Sequence, residues 1–336
     1  LAHWKANSFS LAGRATLISA VSSAIPAYTM QTSHLPSNVC EDLDKQNRSF
    51  LWGGTVEHRK THLVAWEDVC KEKRRGGLGL WQAKTHNQAL LMKLGWRLVT
   101  HRDALWVKVI RDKYKCGEDI LPSINKRRPG SNVWSGIKKT WQSVSAGIVT
   151  DRDTNSAKWK WEKHGNFTVK SAYQVLSGDD QDQGQDWSGL WKVKAPQRCK
   201  TLLWLVARQC LLTNANRKCR GLSMDASCAL CGHSCEDTIH VFRDCTHSRS
   251  IWKKVVPSSR WSWFCNMSLS DWIWGNIGGR SEARRRWAST FMILCWWLWK
   301  RRNLLVFEKK WTSNDSLIAS TTAMVSCMTR TKDRLA

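Results

Sequence analysis

Acidic residues are scarce: 27 Asp and Glu stand against 53 Lys and Arg in 336 residues, a formal net charge of +26. No single basic tail carries the excess, because residues up to 150 hold 23 basic against 11 acidic and the rest hold 30 against 16. A charge of that size draws polyanions and opposes self-association. Nucleic acid is the expected partner, and an anionic membrane surface the runner-up. Long apolar runs are also missing. The longest, FMILCWWLW at 291–299, is about half of what a bilayer-crossing helix needs and is flanked by RRR and KRR, which argues against a membrane span. No signal peptide opens the sequence, and its 13 cysteines are an odd number. A disulfide framework is therefore disfavoured, and a reduced, intracellular and nuclear protein is expected. The first residue is Leu1 and not Met, which reads as a fragment of a longer protein.

What is abundant is tryptophan, 23 in all, and a local concentration of metal-binding side chains. The stretch CALCGHSCEDTIHVFRDC (228–245) sets Cys228 and Cys231 two residues apart, then His240 and Cys245. Three thiolates and an imidazole are the soft, tetrahedral donor set that zinc prefers, and four protein ligands leave no open position, so a structural site is expected. His233, Cys235 and His247 are nearby substitutes. Glu236, four residues before His240, is a candidate partner for the other imidazole N–H. Most tryptophans read as core. Trp159 and Trp161, interleaved with Lys158 and Lys160, also suit base stacking beside cations.

Along the chain, helical periodicity covers 10–26 (Leu11, Ile18 and Ile25 on one face, stopping at Pro26) and 37–51 (Val39, Leu43 and Phe50). KEKRRGGLGLW (71–81) reads as a basic glycine-rich loop. Its GGLG is either a tight turn or a set of amides for a phosphate. Helices are expected at 85–99, 104–114 and 133–145, then a short hairpin at about 158–169 turning at His164-Gly165-Asn166, then a helix at 170–177. GDDQDQGQD (178–186) reads as an acidic linker. Beyond it come a helix from Pro196 to Arg208, the cysteine cluster, and helices near 249–256, 282–307 and 315–330. The fold class is mainly α: a helical region with one hairpin, then a small zinc-stapled helical subdomain. The basic runs KRR (126–128), Arg284-Arg285-Arg286 and Lys300-Arg301-Arg302 are candidate phosphate contacts if they converge in space.

CALC…EDTIHVFRDC followed by Trp252 resembles the zinc-binding region of plant LINE-type (non-LTR) retrotransposon reverse transcriptases. LWKVKAPQRCKTLLWLVARQCLLT (190–213), GNFTVKSAY (165–173), FLWGG (50–54), RRGGLGLW (74–81) and WKANSFSLAGRATLISAVSSAIPAY (4–28) are similar to stretches upstream of that site. WWLWKRRNLLVFEKK (296–310) is similar to the helix downstream. The resemblance implies a post-polymerase connection region at 1–178, a linker at 179–186, a zinc-binding domain at 187–310 and a C-terminal helix or tail at 311–336. It also implies polymerase and ribonuclease H domains of a parent polyprotein as partners, lying before and after this stretch. Their two-metal chemistry needs carboxylate sets. The only Asp-Asp is Asp179-Asp180, in linker-like surroundings, and Asp271, Glu282, Glu308, Asp315 and Asp333 are spread over helix-like sequence. The expected role is therefore non-catalytic: structural zinc, and RNA or DNA held for enzymatic domains elsewhere. The alternatives are a zinc-stabilised interaction scaffold and a degenerate retroelement relic.

Overall fold

The computed structural model describes residues 9–54, 60–125, 127, 129–151, 156–178 and 185–333. Lys126 and Arg128 of the first basic run, Asp179-Asp180 and most of the acidic linker lie outside them. The chain divides into two compact units, in the main residues 13–185 and 186–336. Among the described residues both are built almost entirely of helices, with one two-stranded sheet.

The chain enters through α1 (Leu11–Leu17), a π-helical turn at Ile18–Ser22 and α2 (Ala24–Met30). The helix expected to stop at Pro26 instead breaks at Ser23, and Pro26 sits in the first turn of α2, where a missing N–H is tolerated. Ile25 is 72% exposed, so it leaves the apolar stripe that Leu11 and Ile18 began. α3 (Ser37–Trp52), α4 (Trp66–Cys70), α5 (Ala83–Thr100), α6 (Leu105–Tyr114) and α7 (Asn132–Ala146) follow. α5 forms the centre of this unit and buries Ala89, Leu90, Leu91, Met92, Leu98 and Val99, which lie all round the helix. α7 approaches closely because Gly136 carries no side chain: a Cβ there would lie 2.7 Å from Leu91.

The loop after α4 settles the GGLG question. The amides of Gly76, Gly77, Leu78 and Gly79 donate to the carbonyls of Lys73, Glu72, Val69 and Lys71. A Cβ on Gly77 would fall 1.8 Å from the Lys71 carbonyl oxygen. These amides are used up in a tight turn, and none is left to meet a phosphate.

The hairpin exists but lies upstream of 158–169. β1 (Ile148–Asp151) and β2 (Ser156–Trp159) pair antiparallel with Ile148 opposite Trp159. His164-Gly165-Asn166 does turn the chain, and the Trp159 amide donates to the Gly165 carbonyl at 2.7 Å. The returning segment forms no ladder because Thr168 caps α8 (Val169–Leu176), its hydroxyl accepting from the Ser171 amide at 3.0 Å. Trp159 is 1% exposed, its indole N–H donates to the Ser171 hydroxyl at 3.0 Å, and Trp96, Trp161 and Phe167 pack edge-on against it.

In the second unit, α9 (Ser188–Lys192), α10 (Gln197–Ala207), α11 (Asn214–Cys219), α12 (Thr246–Val255), α13 (Ser258–Asn266) and α14 (Leu269–Ile277) precede α15 (Glu282–Glu308), on which α16 (Asn314–Asp333) packs. The apolar run FMILCWWLW is the middle of α15. Phe291 to Cys295 are all 0% exposed, so the run is a core helix with neighbours on every side. No helix of the described residues is long and apolar enough to cross a membrane. Trp252, Phe264, Trp272 and Phe291 form an aromatic nucleus with ring centroids 4.7–6.0 Å apart.

Replacing Trp159 by Ala is expected to cost about 3–5 kcal/mol, because a fully buried ring leaves a cavity. Urea unfolding of the chain reads this as a lower midpoint. An unchanged midpoint together with selectively weaker single-strand binding would contradict the core assignment.

Candidate metal centre

The four metal candidates come together through two small pieces of backbone. Cys228 and Cys231 sit in a tight turn: the Cys228 amide donates to the His233 carbonyl at 2.8 Å, and the Gly232 amide to the Cys228 carbonyl at 2.9 Å. Gly232 adopts φ +75°, a region that favours glycine at the end of such a turn. His240 and Cys245 bracket a π-helical turn, His240–Asp244, which the Cys245 amide closes onto the His240 carbonyl at 2.8 Å. The wider π-type turn, closed by an i→i+5 bond, brings ligands five apart nearer to one side than a 3.6-residue turn would. Asp237 caps this turn by accepting from the His240 amide at 2.7 Å. The Ser248 hydroxyl and the Trp252 indole N–H donate to the carbonyls of Val241 and Phe242, both at 2.7 Å, and so fasten the turn to α12.

The ligand atoms of Cys228, Cys231, His240 and Cys245 all lie within 4.8 Å of one another. Cys228 Sγ is 4.0 Å from Cys245 Sγ, and Cys231 Sγ is 3.3 Å from His240 Nε2. A tetrahedral zinc ion with ordinary bond lengths would set these edges at about 3.8 and 3.6 Å. The donors therefore fit that ion both in kind and in spacing. Among the described residues, this is the one group of three or more Cys, His, Asp or Glu side chains close enough to hold a metal. The nearby substitutes stand aside. Cys235 is exposed, His233 Nδ1 lies 3.1 Å from the Cys235 carbonyl oxygen, and the His247 ring packs edge-on against Trp311.

Hydrogen bonds inside the cluster set its protons. The bond between the two thiols pushes Cys228 up to about 12 and holds Cys245 below its usual range, and the bond to Cys228 raises His240 to about 9. At neutral pH the imidazole and the Cys228 thiol therefore carry protons that a metal ion must displace. Affinity for a cation should fall as the solution is made more acid.

Glu236 does not serve His240. Its carboxylate is fully buried and faces α15, where one oxygen accepts from Arg302 Nη2 at 2.6 Å, Arg302 Nε at 3.1 Å and the Asn214 amide at 2.9 Å. This corrects two expectations at once, because Arg302, a candidate phosphate contact, is buried against Glu236. Arg301 is equally withdrawn, at 1% exposure. Of the Lys300-Arg301-Arg302 run only Lys300 is exposed, and its ammonium lies 4.9 and 5.3 Å from the Trp297 and Trp296 ring centroids. On β2 and just beyond it, Lys158 and Lys160 face solvent, Trp161 is half-buried, and Trp159 lies in the core and offers no face to a base.

Arg284, Arg285 and Arg286 are all exposed. Arg285 and Arg286 line a cavity of about 240 Å³ with Lys194, Glu282 and Ser289. Arg284 belongs to a second group that the sequence reading missed. The Arg260 guanidinium lies 5.0 Å from the Trp263 ring and 5.9 Å from the Trp287 ring, and Trp263 is 39% exposed. Burial, and then the charge of Arg284, disfavour the charged form of Arg260. Among the described residues neither arginine has a carboxylate partner. The available signal was SSRWSWF (258–264), where one arginine precedes two indoles set two residues apart.

A sequence profile of the family described as zinc-binding in reverse transcriptase matches residues 167–252, a span that holds all four ligand candidates. The chain is 33% identical over 384 aligned positions to an Arabidopsis thaliana protein named "Putative ribonuclease H protein", covering 89% of this chain and 61% of that relative. It is 30% identical over 127 positions to an uncharacterised mitochondrial protein of the same plant, covering 38% of this chain and 82% of the relative. The chain thus spans about three-fifths of the longer relative's length.

The geometry predicts one tightly held zinc ion per chain. Elemental analysis of protein purified without chelator should find it, and Cys228→Ser or Cys245→Ser should release it and loosen the region around 210–250. Titrations between pH 6 and 8 should show weaker binding at the lower pH and proton release on zinc addition. Metal-free protein, or affinity independent of pH, would rule this assignment out.

Proposed function

This chain belongs to the plant retrotransposon reverse-transcriptase proteins and carries their zinc-binding region, and on that premise we propose that it is a non-catalytic module that holds RNA or DNA on a zinc-stiffened helical frame. In this reading zinc is a structural ion, since its four protein ligands leave no position for a substrate. The chemistry belongs to polymerase and ribonuclease H domains of the parent polyprotein, and the nucleus is where the module works. The region 1–178 is the connection after the polymerase, 187–310 the zinc-binding domain, and 311–336 a C-terminal helix or tail.

The observation that carries nucleic-acid binding is the unbalanced Arg260–Arg284 pair beside an exposed indole. The Arg260 guanidinium, whose charge burial and Arg284 disfavour, would be stabilised by an anion beside it, and the ring of Trp263 is available to a base. Arg285, Arg286 and Lys194 add cations around one cavity, and the net charge of +26 supplies long-range attraction. A scaffold without nucleic-acid affinity is the second reading, favoured by the tryptophans that are buried in the core, Trp52, Trp66, Trp134, Trp159, Trp204, Trp252 and Trp272.

Salt dependence separates the two. Binding to single-stranded RNA or DNA should weaken with salt, with about −0.7 in the log–log slope for each phosphate neutralised. Changing Arg284, Arg285 and Arg286 to Ala should flatten that slope. Trp263→Ala should weaken binding by about 1–3 kcal/mol with the slope nearly unchanged, because a stacked ring displaces no counterions. Absence of polyanion binding at low salt would leave the scaffold reading in place.

Primer-extension and hybrid-cleavage assays with magnesium should stay at background, since Asp179-Asp180 stands in linker-like sequence. Activity abolished by Asp179→Ala would contradict the non-catalytic reading.

A further inference from the structure

We propose that Arg301 is the counter-charge of the metal centre, a buried guanidinium placed to balance the net negative charge of a zinc ion held by Cys228, Cys231, His240 and Cys245. The inference rests on the zinc reading above and goes beyond the ligands to the charge around them. Three thiolates, a neutral imidazole and a divalent ion leave one net negative charge. Enclosed in protein, such a charge is costly unless an opposite one lies near it.

Arg301 is 1% exposed on α15. Its Nη1 donates to Asn314 Oδ1 at 2.7 Å, and Asn314 in turn donates to the Ser250 hydroxyl on α12 at 3.0 Å. Its guanidinium lies 5.0 Å from the Trp311 ring, against which His247, two residues past Cys245, also packs. Trp311 and Asn314 thus tie Arg301 to α12, the helix that Cys245 caps. Nε and Nη2 are fully buried and have no hydrogen-bond partner among the described residues. Burial works against its charge, and the Cys245 thiolate works in its favour.

Arg302 is the contrast. The neighbouring guanidinium is met by the Glu236 carboxylate at 2.6 Å, whereas no carboxylate pairs with Arg301 among the described residues. A buried cation with two unpaired N–H groups should be strongly destabilising unless an anion stands close by. The thiolate cluster is the anion that the structure supplies. Because the unpaired atoms are sealed from solvent, an external phosphate does not fit this role.

The test compares the full chain with Arg301→Gln and Arg301→Lys by competition with a zinc chelator and by the sulfur-to-metal charge-transfer bands of the cobalt-loaded proteins. Gln should weaken metal binding by about 10–100-fold, the usual effect of losing a group that supports the ligands, and should shift those bands. Lys should restore most of the affinity. In the zinc-free proteins the order should reverse, with the Gln variant at least as resistant to urea as the native chain, because it no longer buries an unbalanced charge. Native affinity and unshifted bands in a folded Gln variant would overturn the inference while leaving the zinc reading intact. A Lys variant as weak as Gln would also overturn it, by showing that the contact with Asn314 matters and not the charge. A native chain that takes up no zinc would overturn the zinc reading itself, and this inference with it.

Discussion

The second unit depends on a buried ion pair, Arg302 with Glu236, both at 1% exposure or less and 2.6 Å apart. Glu236 lies in the loop between the Cys228–Cys231 turn and His240, and Arg302 lies on the long core helix. Their contact sets the loop's position on the helix. Asn214 joins both: its amide donates to Glu236, its side-chain oxygen accepts from Arg302 at 2.7 Å, and its side-chain nitrogen donates to the Ser227 carbonyl. An ion pair so deeply buried gains little net stability over an apolar replacement. Removing one partner alone costs about 3–5 kcal/mol, because the other charge is stranded. What the pair contributes is a defined position for the metal-binding loop, and the four ligand atoms meet because both pieces of backbone that carry them are anchored to α12 or α15.

The clustering of the candidate ligands was legible because it is local. Two cysteines in one turn, then a histidine and a cysteine, all lie between residues 228 and 245, and spacing alone suggests their geometry. The π-helical turn was not legible, since no side-chain pattern marks a five-residue turn. Glu236 was assigned to His240 because four residues suggest one helical turn. The backbone there is an extended loop that directs the carboxylate the other way, to a residue 66 positions later.

The basic runs show the same limit. KRR at 300–302 and RRR at 284–286 look alike as strings, yet the first is largely withdrawn into the unit and the second is exposed. The difference is helix phase: Arg301 and Arg302 fall on the faces of α15 that meet α16 and the metal-binding loop, whereas 284–286 occupy the exposed first turns. Likewise the alternation of lysine and tryptophan at 158–161 marks a strand with one wet and one dry face. That pattern places Trp159 in the core and the lysines outside. The helices themselves were largely readable from apolar periodicity, and the misplaced hairpin came from taking a turn as the centre of a ladder.

The Cys/His cluster, buried arginines and aromatic nucleus therefore form one continuous structure, with cationic and indole side chains at its surface. The cluster has the donor set of a closed tetrahedral site, three sulfurs and one nitrogen. X-ray absorption at the zinc edge of the full chain tests this directly. Three sulfur neighbours at about 2.3 Å and one nitrogen at about 2.0 Å are expected, with no bound water. A shell of mainly nitrogen and oxygen atoms, or one with an open position occupied by solvent, would contradict it.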